Sequence, residues 1–376
     1  MRLSIITFLF VLIIANINNA QEINKRVLLE EFSTAPCGFC PEGGIIAEQL
    51  IGKYPDLYTF THHAGFGTDS MTINESKTIA SKYTTFAPAA VIDRGDYPCP
   101  PYTKEGYIGV SRQKWDSICA IRLNEQAEAE VFIEEVIYNE SERMLNVIVK
   151  TKFANNIGEN DYRLNLAIVE DSVSGIGKGW DQKNYFNNDP KYPDLYHKGD
   201  SIVGYIHRHV LRALPTGAWG DASVIPAIPE NDINYTYTLE NYMIPQNWKP
   251  KDIKLFAFLS AYNTDVFQHK IFNTDEKRLI ETPSDKPEVL IKNETQFIIK
   301  PNPVTNLAYI ECQLSKSSNC KFELFDSGGR KLRDIYEGAI INSSNIYFYA
   351  SDLASGLYFI KITSNNNVII RNFIIL

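Results

Sequence analysis

Between Lys25 and Leu123, short apolar runs alternate with stretches of helical period. KRVLLEEFST gathers Val27, Leu28, Leu29 and Phe32 into a run that predicts a short buried strand ending in a turn. From Pro41 onward, EGGIIAEQLIGKY repeats Ile45, Ile46, Leu50 and Ile51 at helical spacing, which predicts a helix with Cys40 in its first turn. DLYTFTHH predicts a second strand, residues 73–83 a second helix, AAVID at 89–93 a third strand, and SRQKWDSICAIRL at 111–123 a last amphipathic helix. This alternation specifies a small layered α/β domain, assigned to residues 21–127.

After residue 128 the period changes to two. VFIEEVIYN, MLNVIVKTKF, RLNLAIVED, YTYTLENYMI and IKLFAFLSAY alternate apolar and polar positions between turn clusters, so residues 128–281 are expected to form an antiparallel β-sandwich domain. Residues 174–205, rich in Gly, Asn, Asp and Tyr, predict a long loop carried on that scaffold. TPSDKPE opens a linker over 282–296, and the short strands beyond it predict a small β-sandwich at 297–376.

Residues 1–20 combine Arg2, an apolar run over 5–15 and Ala20 before Gln21, the pattern of a cleaved signal peptide. The run is shorter than the roughly 20 residues that span a bilayer, so no transmembrane segment is expected in the mature chain. The formal net charge of −8 argues against nucleic acid as a partner, because phosphate binding needs basic surface. Export makes the six cysteines candidates for oxidation. They fall into three local pairs. Cys99 with Cys119 is expected to pin the excursion between them, and Cys312 with Cys320 to close a hairpin loop.

Cys37 and Cys40 stand apart because they form a CxxC between a strand and a helix. Unsatisfied N–H groups and the dipole at a helix start stabilise a thiolate, making Cys37 the candidate nucleophile and Cys40 the resolving thiol. A zinc site is disfavoured, since no second ligand pair of suitable spacing follows, and no metal or cofactor is expected. A permanent structural disulfide remains the competing reading. The adjacent His62 and His63 point to opposite faces of a strand and read as packing residues, and His207 and His209 lack a third ligand. Trp180, Tyr185, Phe186, Tyr192 and Tyr196 read as packing for the long loop rather than as a binding surface.

The order of strand, CGFC, helix and Ala87-Pro88-Ala89-Ala90-Val91-Ile92 resembles the thioredoxin-like superfamily. That resemblance implies a cis proline at Pro88 and a peptide-binding role for Ala87 and Pro88 beside the dithiol. Gly-Phe between the cysteines departs from thioredoxin's Gly-Pro, and no acid matching its proton-transfer residue is recognised.

EEFSTAPCGFCP, FAPAAVIDRG and HRHVLRALPTGAWGD, the last with Arg212 and Gly217 to Gly220, make residues 25–275 resemble the twenty-eight-kilodalton outer-membrane protein family of the Bacteroidetes. This implies a thioredoxin-like part before a β-sandwich, with suggested roles as surface adhesins or receptors.

PNPV at 301–304, FDSGGRKL at 325–332 and LASGLYFIKI at 353–362 resemble the type IX secretion system sorting domain. The motif residues are Pro301, Asn302, Pro303, Gly328, Gly329, Gly356 and Tyr358. The type IX machinery is the implied partner, with export through the periplasm to the outer-membrane surface or the medium. The expected function is thiol-disulfide exchange with disulfide- or thiol-containing proteins. The alternative is a surface adhesin or receptor with a structural CxxC disulfide.

Overall fold

A computed structural model describes residues 23–155, 157–280, 296–300, 302–313, 318–340, 343–364 and 367–375. The expected signal peptide, nearly all of the linker, and Pro301 lie outside these residues. The chain divides into two compact units, 1–281 and 282–376, and is built mainly of β-sheets with few helices.

In the first unit the chain order is β1 (Val27–Ser33), α1 (Cys40–Lys53), β2 (Leu57–His63), α2 (Asn74–Tyr83), β3 (Ala89–Ile92), β4 (Val110–Ser111) and α3 (Trp115–Leu123). There follow β5 (Ala129–Asn139), β6 (Met144–Phe153), β7 (Asp161–Glu170), β8 (Gln182–Lys183), β9 (Ser201–Ile202), β10 (Val210–Ala213), β11 (Tyr235–Met243), β12 (Ile253–Tyr262) and β13 (Lys270–Arg278). The expected α/β elements are present in order. Their segregation from the β segment is not: one eight-stranded sheet runs β13-β12-β7-β10-β2-β1-β3-β4 and draws strands from both sides of residue 128. The strand β10 causes the merger, pairing in parallel with β2 through Val210 and Thr61 and antiparallel with β7. A second sheet, β11-β6-β5, packs its apolar side against β7 and β12 in a core that includes Val131, Val147, Leu164, Leu166 and Leu255.

Strand β1 is covered on both faces, which explains its unbroken apolar run. Val27 and Leu29 pack under α1 and α3 with Ala47, Leu50 and Trp115, whereas Leu28 and Phe32 pack with Phe60, Ile79 and Tyr83 on the α2 side. Two adjacent glutamates in this strand therefore face opposite cores. Glu30, on the α2 side, accepts hydrogen bonds from Arg94 Nε and Nη2, both at 2.8 Å, and lies 3.2 Å from His62 Nε2. The buried Arg94 guanidinium lies over the rings of Tyr83, Trp219 and Phe258. Burial alone would raise the Glu30 carboxyl, but Arg94 overrides it and holds the group at about 2. Asp93, next to Arg94, accepts from Lys25 Nζ at 2.6 Å, Arg122 Nη2 at 3.0 Å and the Leu28 amide at 2.9 Å. These bonds tie the end of β3 to α3 and the chain start.

The second unit contains β14 (Gln296–Lys300), β15 (Leu307–Gln313), β16 (Ser318–Asp326), β17 (Lys331–Ile340), β18 (Ser343–Tyr349), β19 (Gly356–Ser364) and β20 (Asn367–Ile375). Two antiparallel sheets, β14-β15-β18 and β17-β16-β19-β20, enclose a core that includes Phe297, Ile310, Phe322, Ile360 and Phe373. The β16–β17 turn is made by Asp326, whose Oδ1 accepts from the Gly328 and Arg330 amides, while Gly329 takes φ +78°. A side chain rarely adopts that conformation, which explains the glycine.

Two expected bridges are corrected. Cys99, Cys119, Cys312 and Cys320 are free thiols. Cys119 faces the sheet among Ile92, Val110 and Trp115, while the Cys99 sulfur lies 3.2 Å from Thr103 Oγ1. Cys312 and Cys320 do not flank a hairpin, because β15 pairs with β14 and β18 whereas β16 pairs with β17 and β19. Among the described residues no helix is long and apolar enough to cross a membrane.

Replacing Arg94 by Met strands a buried carboxylate and is expected to cost about 3–5 kcal/mol, with Glu30→Gln added to Arg94→Met recovering part of the loss. All four tryptophans, Trp115, Trp180, Trp219 and Trp248, lie in this unit, so urea unfolding followed by tryptophan fluorescence reads it alone. Because the folded Glu30 value is depressed, its contribution is complete above 4.5 and is lost as pH falls toward about 2. A loss below about 1 kcal/mol at neutral pH would show that the pair carries no such weight.

Candidate functional site

The chain leaves β1 at Ser33, turns through Thr34 to Phe39, and enters α1 at Cys40. The turn is held by the Cys37 amide donating to the Thr34 carbonyl at 3.1 Å and the Cys40 amide to the Cys37 carbonyl at 3.2 Å. Pro41 follows at the first helical positions, where its missing N–H costs nothing. Cys37 and Cys40 are joined as a disulfide. The Ala87–Pro88 bond is cis, as the resemblance implies, and Pro88 leads directly into β3. Helix and proline meet at Gly43, where a Cβ would stand 2.7 Å from Pro88 Cβ and 2.8 Å from Glu31 Oε1. Only glycine leaves room for that approach.

Glu31 is a buried acid that the sequence did not single out. It lies six positions before Cys37, on the face of β1 turned toward α1, and is 3% exposed. Its Oε2 accepts from Thr61 Oγ1 at 3.2 Å, while Oε1 has no hydrogen-bond partner. Burial, with no cation to oppose it, pushes the carboxyl up to about 8. The alternation of β1 was the available signal, since whatever faces α1 at position 31 must lie beneath the CxxC helix.

The loop over 174–205 is longer than a connection requires, and its middle lies on the CGFC turn. The Lys183 amide donates to the Ala35 carbonyl at 2.8 Å and the Tyr185 amide to the Gly38 carbonyl at 3.0 Å. Gln182 Nε2 donates to the carbonyls of Cys37 at 2.8 Å and Ala35 at 3.1 Å. The Tyr185 ring stacks so closely on Gly38 that a Cβ there would fall 2.6 Å from it. Phe39 packs edge-on against Tyr185 and Phe186. Tyr192 donates to Glu42 Oε1, and Arg112 pairs with Glu42 Oε2. Under this strap Cys37 is 3% and Cys40 2% exposed. The aromatic residues expected only to pack their own loop thus divide: Tyr185, Phe186 and Tyr192 pack on the CGFC turn and the start of α1, Trp180 packs against Met71, Val173 and Val210, and Tyr196 packs on His197 within the loop.

The histidines also divide by face. His62 lies on the α2 side with Glu30, its Nδ1 2.9 Å from Ser76 Oγ, and burial pushes it down. His63 lies on the α1 side, with Nδ1 2.7 Å from Asp69 Oδ2 and its ring edge-on to His207. Burial, and then His63, lower His207 to about 4. His209 Nε2 lies 2.9 Å from Glu48 Oε1. Among the described residues no three His, Cys, Asp or Glu side chains converge as a metal centre. Glu31, Cys40, Thr61, His63, His207 and His209 share the wall of a cavity of about 300 Å³ beside α1.

The sorting-motif residues belong to the second unit. Asn302 Oδ1 accepts from the Ile374 amide at 3.0 Å, and Tyr358 Oη donates to the Ala354 carbonyl at 2.8 Å.

Against known proteins, the family described as outer membrane protein Omp28 matches residues 76–275, and the secretion system C-terminal sorting domain matches 299–376. No curated protein matches. Among solved structures, HBP35 of Porphyromonas gingivalis aligns over 94% of this chain and 98% of its own, at 17% identity and TM-score 0.51, which shows a shared fold. A domain of the outer membrane lipoprotein Omp28 from Porphyromonas gingivalis aligns over 40% of this chain and 88% of its own, at 16% identity and TM-score 0.23. The family match includes Pro88 and the strap but begins after Cys40, so the case for the cysteine pair rests on geometry. With 200 of its 376 residues matched, the chain belongs to the Omp28 outer membrane protein family, and its type IX sorting domain marks it for the secretion machinery that delivers proteins to the cell surface or the medium.

Proposed function

We propose that the protein is an exported thiol-disulfide oxidoreductase whose residues 21–127 form a thioredoxin-like core, embedded in one sheet with the β-sandwich part at 128–281 and followed by a linker at 282–296 and a sorting domain at 297–376. The observation that carries this reading is the buried, unpaired Glu31 carboxyl packed beneath the CxxC helix beside cis Pro88. An ionised carboxylate there would be costly, so the group holds its proton at neutral pH, and a carboxyl poised near 8 can exchange a proton with a thiol.

In the reduced protein, the Cys37 thiolate attacks a substrate disulfide, forming a mixed disulfide as the second substrate sulfur leaves as thiolate. The fraction of Glu31 that is ionised, small at neutral pH and growing as pH approaches about 8, takes the proton of Cys40. Cys40 then attacks Cys37 Sγ, restoring the 37–40 bond and releasing the substrate thiolate. Ala87 and Pro88 border the groove in which an extended peptide lies during exchange. A protein substrate reaches Cys37 only when the strap moves aside.

The near-complete burial of both cysteines favours a second reading, a surface adhesin or receptor in which the disulfide is a permanent staple. The two readings separate on reactivity. In the first, iodoacetamide alkylation of the reduced protein against pH yields a Cys37 value below the unperturbed ~8.5, and the protein accelerates insulin reduction, an activity abolished in Cys37→Ser. A Cys37 value at about 8.5 with no insulin reduction leaves the staple reading standing.

Glu31 makes a separate prediction. Its folded value is raised, so the folded state holds a proton that the unfolded chain releases from 4.5 upward, and stability falls as pH rises from 4.5 through about 8. Glu31→Gln is expected to flatten that decline and to raise the urea midpoint at pH above 8. It also slows exchange by about 100-fold if the carboxyl is the proton acceptor. An unchanged pH profile of stability would remove Glu31 from the account.

A further inference from the structure

The cavity beside α1 reaches the two cysteines unequally. Cys40 lines it and Cys37 does not. Gln182, Asp194 and Tyr205 of the strap form part of the cavity wall, and the same Gln182 holds the Cys37 carbonyl while Tyr185 covers the neighbouring Gly38. The cavity opens to solvent between α1 and the segment at 205–209, past Gly44, Glu48 and Arg208. Two polar atoms of buried residues in its wall, Glu31 Oε1 and His209 Nδ1, have no partner. A pocket lined by one cysteine of the pair and presenting unpaired polar groups is suited to receive something small and polar.

We propose that this cavity admits a low-molecular-weight thiol to Cys40, so that the disulfide is opened at its second cysteine while the strap stays closed. The inference rests on the exchange reading above and adds a co-reactant and a direction of attack. The thiol enters as its thiolate, leaving its proton in solvent, and its sulfur attacks Cys40 Sγ. The 37–40 bond breaks, a mixed disulfide forms on Cys40, and the electron pair departs on Cys37. Cys37 is the better leaving group, because it precedes the first turn of α1, where the helix dipole and free N–H groups stabilise negative charge. Of the carboxyls in the wall, Glu31 is protonated at neutral pH, while Glu48 and Asp194 carry charge alongside the Arg208 guanidinium. A second thiolate attacks the external sulfur of the mixed disulfide, releasing the small disulfide and a Cys40 thiolate that takes a proton from solvent. Two small thiols are oxidised and the pair is reduced.

The cavity also supplies its own control. Gly44 lines it, and a Cβ there would meet nothing within 4 Å, so a larger side chain enters open space from a helical position. The experiment treats the oxidised mature protein with 2-mercaptoethanol, traps free thiols with N-ethylmaleimide in acid, and sequences the peptide spanning 27–53 by fragment-ion mass spectrometry. The expected product carries mercaptoethanol on Cys40 and maleimide on Cys37. Gly44→Leu is expected to slow its formation by about tenfold or more and Gly44→Ala by less, at unchanged tryptophan-monitored melting. A polyethylene-glycol thiol should react far more slowly than mercaptoethanol. An adduct on Cys37, or a rate indifferent to Gly44→Leu in a protein that melts normally, overturns this route while leaving the exchange reading intact. A disulfide that no thiol opens overturns both.

Discussion

The first unit depends on one buried pair, Glu30 with Arg94. Strand β1 lies inside the sheet with helices or strands over both faces, so any charge it carries must be neutralised within the protein. Arg94 does this bidentately while its flat guanidinium packs against Tyr83, Trp219 and Phe258, drawing together residues from α2, the loop after β10, and β12. Such a pair adds little net stability over an apolar substitute, but it strongly penalises any arrangement that separates its partners. It therefore helps fix which face of β1 is which. The neighbouring Glu31 takes its character from that choice, facing α1 with no cation and keeping its proton where Glu30 has lost one.

Much of this was legible in the chain. The runs VLLEEF and DLYTFTHH and the helical period after Pro41 correspond to β1, β2 and α1, because local burial dictates local pattern. What local pattern cannot carry is partner choice. That β10 inserts beside β2 and merges two expected domains into one sheet depends on a pairing across nearly 150 residues, with only VLRA to announce it. The thiol pairs show the same limit. Proximity in sequence suggested Cys312 with Cys320, yet the two lie on facing sheets in the shared core as free thiols. Glu31 was hidden differently: within a doublet of glutamates, nothing in composition distinguishes the one that meets an arginine from the one that does not.

The strap has a structural reason to exist apart from any regulation. The turn at 34–39 exposes the carbonyls of Ala35 and Gly38, which the regular elements around them do not satisfy, and leaves the Cys37 carbonyl with the Cys40 amide and room for a second donor. Lys183, Gln182 and Tyr185 supply the donors, so a turn that would otherwise need water is buried. The bonds that complete the turn thus also hide its sulfurs. This dual role explains why a long polar loop, which composition suggested would serve only itself, is drawn onto the CGFC motif.

Under the proposed route, a strap that covers the CGFC turn and also walls a small polar cavity at Cys40 divides access by size rather than abolishing it. The strap bears on anything that needs the peptide backbone near Pro88, since it already occupies the hydrogen-bonding edge of the turn. The cavity reaches the sulfur whose partner is the more stable thiolate, so the unhindered side is also the side from which bond breaking is electronically easier. If the pair exchanges as proposed, that asymmetry would let its state follow the small thiols that diffuse to it. Protein exchange would then wait on the strap, so that opening the bond and admitting a polypeptide would be separate events.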